Sequence, residues 1–192
     1  MSLASDLPLS DHFTAFELGA DKPEANDLIV ANLRFVAQSL ERIRTVLNSR
    51  LQVNTHNPPH LNRGFRPADV NATLPHSSPS SSHIDGLAAD VVPLDFPGNM
   101  LNAYLRLSSA EIGVYDQIIY YPLDGHIHIG YGSQLRREHR VFIYEGSGGT
   151  PIVSSDTLQA LGGNIAQATI GHPFTALVVL VGFGILAFAV VD

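Results

Sequence analysis

Between positions 26 and 47 the apolar residues Ile29, Leu33, Val36, Leu40, Ile43 and Leu47 recur in alternating steps of four and three. That rhythm puts them on one face of a helix and leaves the polar residues on the other. Asn26 or Asp27 can cap its start. A helix this regular is core scaffold, and no chemistry is expected from it. After it the period changes. Leu51–Thr55 predicts a short strand, and HNPPHLNRG at 56–64 a loop. Pro67–Leu74 predicts a short helix, and PHSSPSSS at 75–82 a polar loop running into His83. Leu87–Leu94 reads as a buried strand and Asn99–Ser108 as a helix. Asp116–Tyr121, Gly125–Tyr131 and Arg140–Tyr144 are further strand candidates. Helices early and strands late predict an α+β domain with a central antiparallel sheet and flanking helices. There is no internal repeat.

The pattern changes again towards the C-terminus. EGSGGTP at 145–151 reads as a flexible linker, and 152–169 are small and polar. Phe174 to Val191 is a run of 18 residues without a charge, and starting at Ile170 lengthens it to 22. About 20 apolar residues suffice for a helix to cross a bilayer core. The expected organisation is therefore a domain over 1–145, a linker over 146–169 and a single transmembrane helix over 170–191. A buried packing helix is the alternative for that run. MSLASDLPLS has neither the basic start nor the apolar stretch of a signal peptide.

Composition sharpens this division. The 192 residues include 11 Lys+Arg and 18 Asp+Glu, for a net charge of −7. All basic residues lie between Lys22 and Arg140, and beyond Arg140 the only charges are Glu145, Asp156 and Asp192. An acidic chain is a poor general binder of nucleic acid, which needs cations to neutralise phosphates. The absence of cysteine excludes disulfide frameworks, Fe–S clusters and thiol catalysis. Nine histidines remain as the main stock for metal ligation and proton transfer.

Three segments concentrate that chemistry. In Ser81-Ser82-His83-Ile84-Asp85-Gly86-Leu87-Ala88-Ala89-Asp90 an imidazole and a carboxylate lie seven positions apart around a glycine turn. Both suit a borderline cation such as zinc. In Gly125-His126-Ile127-His128-Ile129-Gly130 strand alternation points His126 and His128 the same way and both isoleucines to the core. That is an arrangement for a metal, or for a metal and a base. In Gly64-Phe65-Arg66-Pro67-Ala68-Asp69-Val70-Asn71 an Arg sits in a turn, where it can bind a carboxylate or steady an oxyanion. The other histidines carry weaker signals. His12 reads as structural, His56, His60 and His76 as solvated loop residues, His139 as part of a basic face, and His172 as a membrane-interface residue.

In this order the segments resemble the M15 type of zinc peptidases, the D,D-carboxypeptidases and murein endopeptidases. Ser81 to Asp90 matches the pattern S-x-H-x-x-G-x-A-x-D. LSDHFTAFEL at 9–18, LERIR at 40–44, GFRPADVN at 64–71, and YDQIIYY and HIHIG within 115–130 resemble further parts of the small phage and bacterial members. The resemblance covers roughly 9–131. It implies one zinc ion on His83, Asp90 and His128. It implies Arg66 on the substrate carbonyl or carboxylate, and Ser81 as a substrate or outer contact. The chain departs from the family at four places: His126 stands where Trp is usual, Gly125 where a carboxylate base is usual, Tyr121 where Glu is usual, and the loop THNPPHLNR before Gly64 is longer than usual.

The base therefore has three readings: His126, Asp124 swinging in from the neighbouring turn, or none. The activity implied is zinc-dependent hydrolysis of a peptidoglycan stem-peptide bond, by a D,D-carboxypeptidase or an L,D- or D,D-endopeptidase. With the apolar tail, this describes a single-pass membrane-anchored murein hydrolase of a host envelope or of a virion's internal membrane, suited to phage lysis. Virion or envelope proteins are then expected as partners. The alternative is a catalytically degenerate zinc module that binds wall peptide or serves structurally, anchored in a cell or viral membrane.

Overall fold

The computed structural model of the chain describes residues 3–53, 64–74, 77–108, 110–121, 124–132 and 137–141. The linker and the transmembrane helix expected over 146–169 and 170–191, and most of the loop expected over 56–64, lie outside the described residues. Among the described residues no helix is long and apolar enough to cross a membrane.

The elements in chain order are α1 (Ala15–Leu18), α2 (Asp27–Leu47), β1 (Leu51–Val53), α3 (Ala68–Thr73) and β2 (Ala88–Pro93). There follow α4 (Met100–Ser108), β3 (Gln117–Tyr121), β4 (His126–Gly130) and β5 (Glu138–Val141). The fold is α+β. α2 starts where Asn26 accepts a hydrogen bond from the Ile29 amide at 3.0 Å and ends at Asn48 in the left-handed conformation. Leu33, Val36, Leu40, Ile43 and Leu47 are buried along its inner face, as the spacing predicts. Each fully buried aliphatic side chain of this size contributes about 1.5–3 kcal/mol. The short α1 has no counterpart in the hydrophobic pattern. It is held by a capping box in which Thr14 and Glu17 serve each other's backbone amides.

The sheet runs β1-β2-β4-β3-β5. The first four strands are antiparallel neighbours, but β5 lies parallel to β3. The expected central antiparallel sheet is present in four strands, and β5 adds a parallel edge to it. Gly130 at the end of β4 and Glu138 at the start of β5 both pair with Gln117. β5 thus begins at the end of β3 where β4 stops, and from there it runs in β3's direction. The strand expected at 140–144 accordingly begins earlier, at Glu138, and 142–144 lie outside the described residues.

One face of the sheet belongs to the core. Ala89, Val91, Ile118, Tyr120, Ile127 and Ile129 join the inner face of α2 and residues of α4 in a single apolar cluster. The alternate residues Ala88, Asp90, Ile119, His126 and His128 point to the opposite face. They are also buried, so both faces of the central strands are covered. That second face holds the chemistry.

Candidate metal centre

Strand pairing brings the carboxylate and the imidazoles together. Asp90 on β2 is the ladder partner of His128 on β4, and Ile119 flanks His128 from β3. His128 Nδ1 lies 2.9 Å from Asp90 Oδ1. His83 enters from the loop before β2, with its Nε2 3.1 Å from His128 Nδ1 and 3.3 Å from Asp90 Oδ1. All three residues are buried, and together they form a group that can hold a metal ion.

The loop places His83 through its backbone. The Leu18 carbonyl accepts from the Phe65 amide at 2.8 Å, and the His83 carbonyl accepts from the Arg66 amide at 3.0 Å. This ties residues 64–66 between the end of α1 and the His83 loop. Gly64 fits there because a Cβ would come within 3.0 Å of Leu18 and Leu33 atoms. Its carbonyl oxygen then lies 3.0 Å from His83 Nδ1.

That contact fixes the chemistry of His83. A carbonyl only accepts, so Nδ1 carries the hydrogen and the neutral ring presents a lone pair at Nε2. Nε2 faces the Asp90 carboxylate and His128 Nδ1. With neutral rings, three electron-pair donors converge with at most one proton among them, and a cation satisfies all three. Tetrahedral zinc with bonds of about 2.0–2.2 Å separates its ligands by about 3.3–3.5 Å. The observed separations of 2.9, 3.1 and 3.3 Å approach that spacing. The residues present therefore fit a metal with three protein ligands.

The electrostatics agree with a group built around one negative charge. Burial opposes ionisation of Asp90. The imidazoles that face it outweigh burial and hold the carboxyl well below its usual range. Burial pushes His128 towards the neutral form that ligates metals, against the pull of Asp90.

Two further sequence candidates adjoin this group. His126 Nε2 is 3.7 Å from Asp90 Oδ1, too far for a hydrogen bond, and His126 does not join the three-residue set. The Arg66 guanidinium is buried. Its NH1 donates to Asn71 Oδ1 at 3.1 Å and its NH2 lies 3.7 Å from Asp90 Oδ2. Burial lowers the pKa of Arg66, while Asp90 and Tyr121 favour its charge. Asp90 thus divides its oxygens, Oδ1 towards the imidazoles and Oδ2 towards Arg66.

The remaining candidates stand apart. Asp124 is exposed in the turn between β3 and β4, and Ser81 is half-buried in the loop before His83. Among the described residues no hydrogen bond or ion pair joins either side chain to the group. His12, read as structural, pairs with Glu41 at 2.9 Å on the surface. His56, His60, His76 and His172 lie outside the described residues. Two contributors went unassigned in the sequence. Asn71 accepts from Arg66 and donates to the Ser78 carbonyl at 2.9 Å, tying the cation to the loop before His83. Tyr121 stacks on His126. The segment GFRPADVN did carry Asn71, but a backbone carbonyl such as that of Gly64 has no letter of its own.

In comparison with known proteins, no protein-family model and no curated protein matches the chain.

Proposed function

We propose that the chain is a zinc-dependent peptidase that hydrolyses amide bonds in peptidoglycan stem peptides. The observation that carries this reading is the convergence of His83 Nε2, Asp90 Oδ1 and His128 Nδ1 in one buried group. The resemblance of residues 9–131 to M15 peptidases supplies the substrate class. Zinc held there contributes Lewis acidity, which acidifies water and polarises a carbonyl. In this reading His126 accepts a proton from the attacking water and returns it to the leaving amine. Arg66, fixed by Asn71, stabilises charge on the carbonyl oxygen or binds a terminal carboxylate. The apolar run at 170–191 is proposed to anchor the enzyme in a host envelope or virion membrane, beside its substrate and any virion or envelope partners.

A second reading has its own observation. Gly125 occupies the position where a carboxylate base is expected, and Asp124 is exposed, with no described hydrogen bond or ion pair to the group. On that basis the site binds zinc without turnover, in a wall-binding or structural module.

The full chain, kept in mild detergent, is incubated with purified peptidoglycan, with zinc or with chelator, and released fragments are identified by mass spectrometry. Zinc-dependent fragments support the peptidase and name the bond. A folded, zinc-loaded protein that releases none supports the binding module.

A further inference from the structure

Tyr121 ends β3 directly opposite His126 at the start of β4. Their rings stack, with centroids 4.8 Å apart and planes 24° from parallel. Register and alternation put Tyr121 on the sheet face that also carries Asp90, Ile119 and His128. The phenol also lies close enough to interact electrostatically with the Arg66 guanidinium.

His126 is held differently from the other two imidazoles. His83 is fixed by the Gly64 carbonyl, and His128 by Asp90. His126 is only 5% exposed, yet its Nδ1 has no hydrogen-bond partner among the described residues. Its Nε2 stands 3.7 Å from Asp90 Oδ1, beyond hydrogen-bond reach. No described hydrogen bond therefore sets the plane of this ring, and the Tyr121 stack is a contact able to do so. A face-on neighbour restricts rotation about χ2 while leaving both ring nitrogens free for proton exchange.

We propose that Tyr121 is a positioning residue whose ring, rather than its hydroxyl, holds the His126 imidazole with Nε2 turned towards Asp90. Its kinetic consequence rests on the peptidase reading above. The proposal also explains how an aromatic residue serves at a position where a carboxylate was expected. The proton work expected of a carboxylate at position 125 passes to His126, and the side chain at 121 orients it.

Tyr121→Phe keeps the ring and removes the hydroxyl, whereas Tyr121→Leu removes the stacking plane. The test uses the full zinc-loaded chain with purified peptidoglycan. Tyr121→Phe is expected within about twofold of the parent rate. Tyr121→Leu is expected to lose about 10- to 100-fold, within the 10²–10⁴-fold that a positioned acid–base group supplies. In a His126→Ala background, Tyr121→Leu should change the residual rate by less than about twofold, because a residue acting through His126 has nothing left to act on. Zinc content and circular dichroism should match the parent throughout. A second readout needs no turnover: ¹³C relaxation of the His126 ring should report an ordered imidazole in the parent and Tyr121→Phe, and a mobile one in Tyr121→Leu. A loss in Tyr121→Phe equal to that in Tyr121→Leu overturns the proposal. So does a full Tyr121→Leu effect in the His126→Ala background, or an unchanged ring order in Tyr121→Leu. If the parent releases no fragments, the peptidase reading fails by itself, and the relaxation data still decide the role of Tyr121.

Discussion

Asp90 and His128 are ladder partners on adjacent antiparallel strands, and the 2.9 Å between Oδ1 and Nδ1 follows from that register. Facing side chains on neighbouring strands start with Cβ atoms about 4.5–5.5 Å apart, so a short Asp and a His meet without strain. Two of the three candidate ligand side chains therefore sit on paired strands. The third, His83, depends on loop contacts.

Removal of that third ligand should be costly for metal and mild for the fold. His83→Ala is expected to weaken zinc binding by more than about 100-fold, exceeding the 10–100-fold typical of outer-shell losses. In the parent, zinc at 100 times its Kd should raise unfolding free energy by about 2.7 kcal/mol, and His83→Ala should lose that increment. Calorimetric titration and urea unfolding with and without chelator measure both. Parent-like zinc affinity in the variant would show that the ligand set is wrong.

Gly64→Ala should damage stability and metal binding together. The added Cβ meets Leu18 Cδ2 at 2.9 Å and the Leu18 carbonyl oxygen at 3.0 Å, and the latter is backbone that cannot swing aside. Overpacking of this kind costs about 1–3 kcal/mol. Moving residue 64 also displaces the carbonyl that holds His83 in its lone-pair-forward form. A lower thermal midpoint accompanied by weaker zinc binding is expected. A destabilised variant with parent affinity would separate Gly64 from the centre.

Acid should destabilise the metal-free protein in two stages. Burial lowers His128 below its ordinary 6.5 despite Asp90. Asp90 is held well below its ordinary 3.8, its neighbours overcoming burial. Both groups take up protons at a higher pH when unfolded than when folded, so stability rises with pH. The His128 contribution is complete above an ordinary 6.5 and disappears as pH falls through its lower folded value. The Asp90 contribution is present above 3.8 and disappears as pH falls through its folded value. Urea midpoints measured with chelator should therefore fall below about pH 6.5, and His128→Asn should flatten that first stage. A midpoint that rises on acidification would contradict this.

Much of this arrangement was legible from residue order. The spacing of Ile29 to Leu47 locates α2 within a residue, because one face must be buried. His126 and His128 were expected to share a strand face, and β4 bears this out. Asp124 lies two positions before His126 and looked able to join them. In the structure Asp124 is exposed, and Gly125 between the two adopts a left-handed φ of +68°, a turn through which strand alternation does not carry. The capping box of α1 and the parallel pairing of β5 were not legible either. One rests on a side chain meeting a backbone amide, and the other on where a loop crosses, and neither leaves an apolar period. The stacking partner of His126 was hidden for a related reason: cross-strand register links Tyr121 to His126, and register is a property of two segments rather than one.

The direction of β5 has a consequence for reach. Running parallel to β3, it ends with Val141 beside Tyr120, one residue from Tyr121 and the His126 end of the sheet. If the apolar run at 170–191 anchors the chain as proposed, its pull reaches the domain at the rim where Tyr121 and His126 stand, not on the far side where β3 begins. A short leash would hold that rim towards its mooring and confine the substrates within range to those lying close to it. Lengthening the leash would widen that range without altering a single residue of the centre.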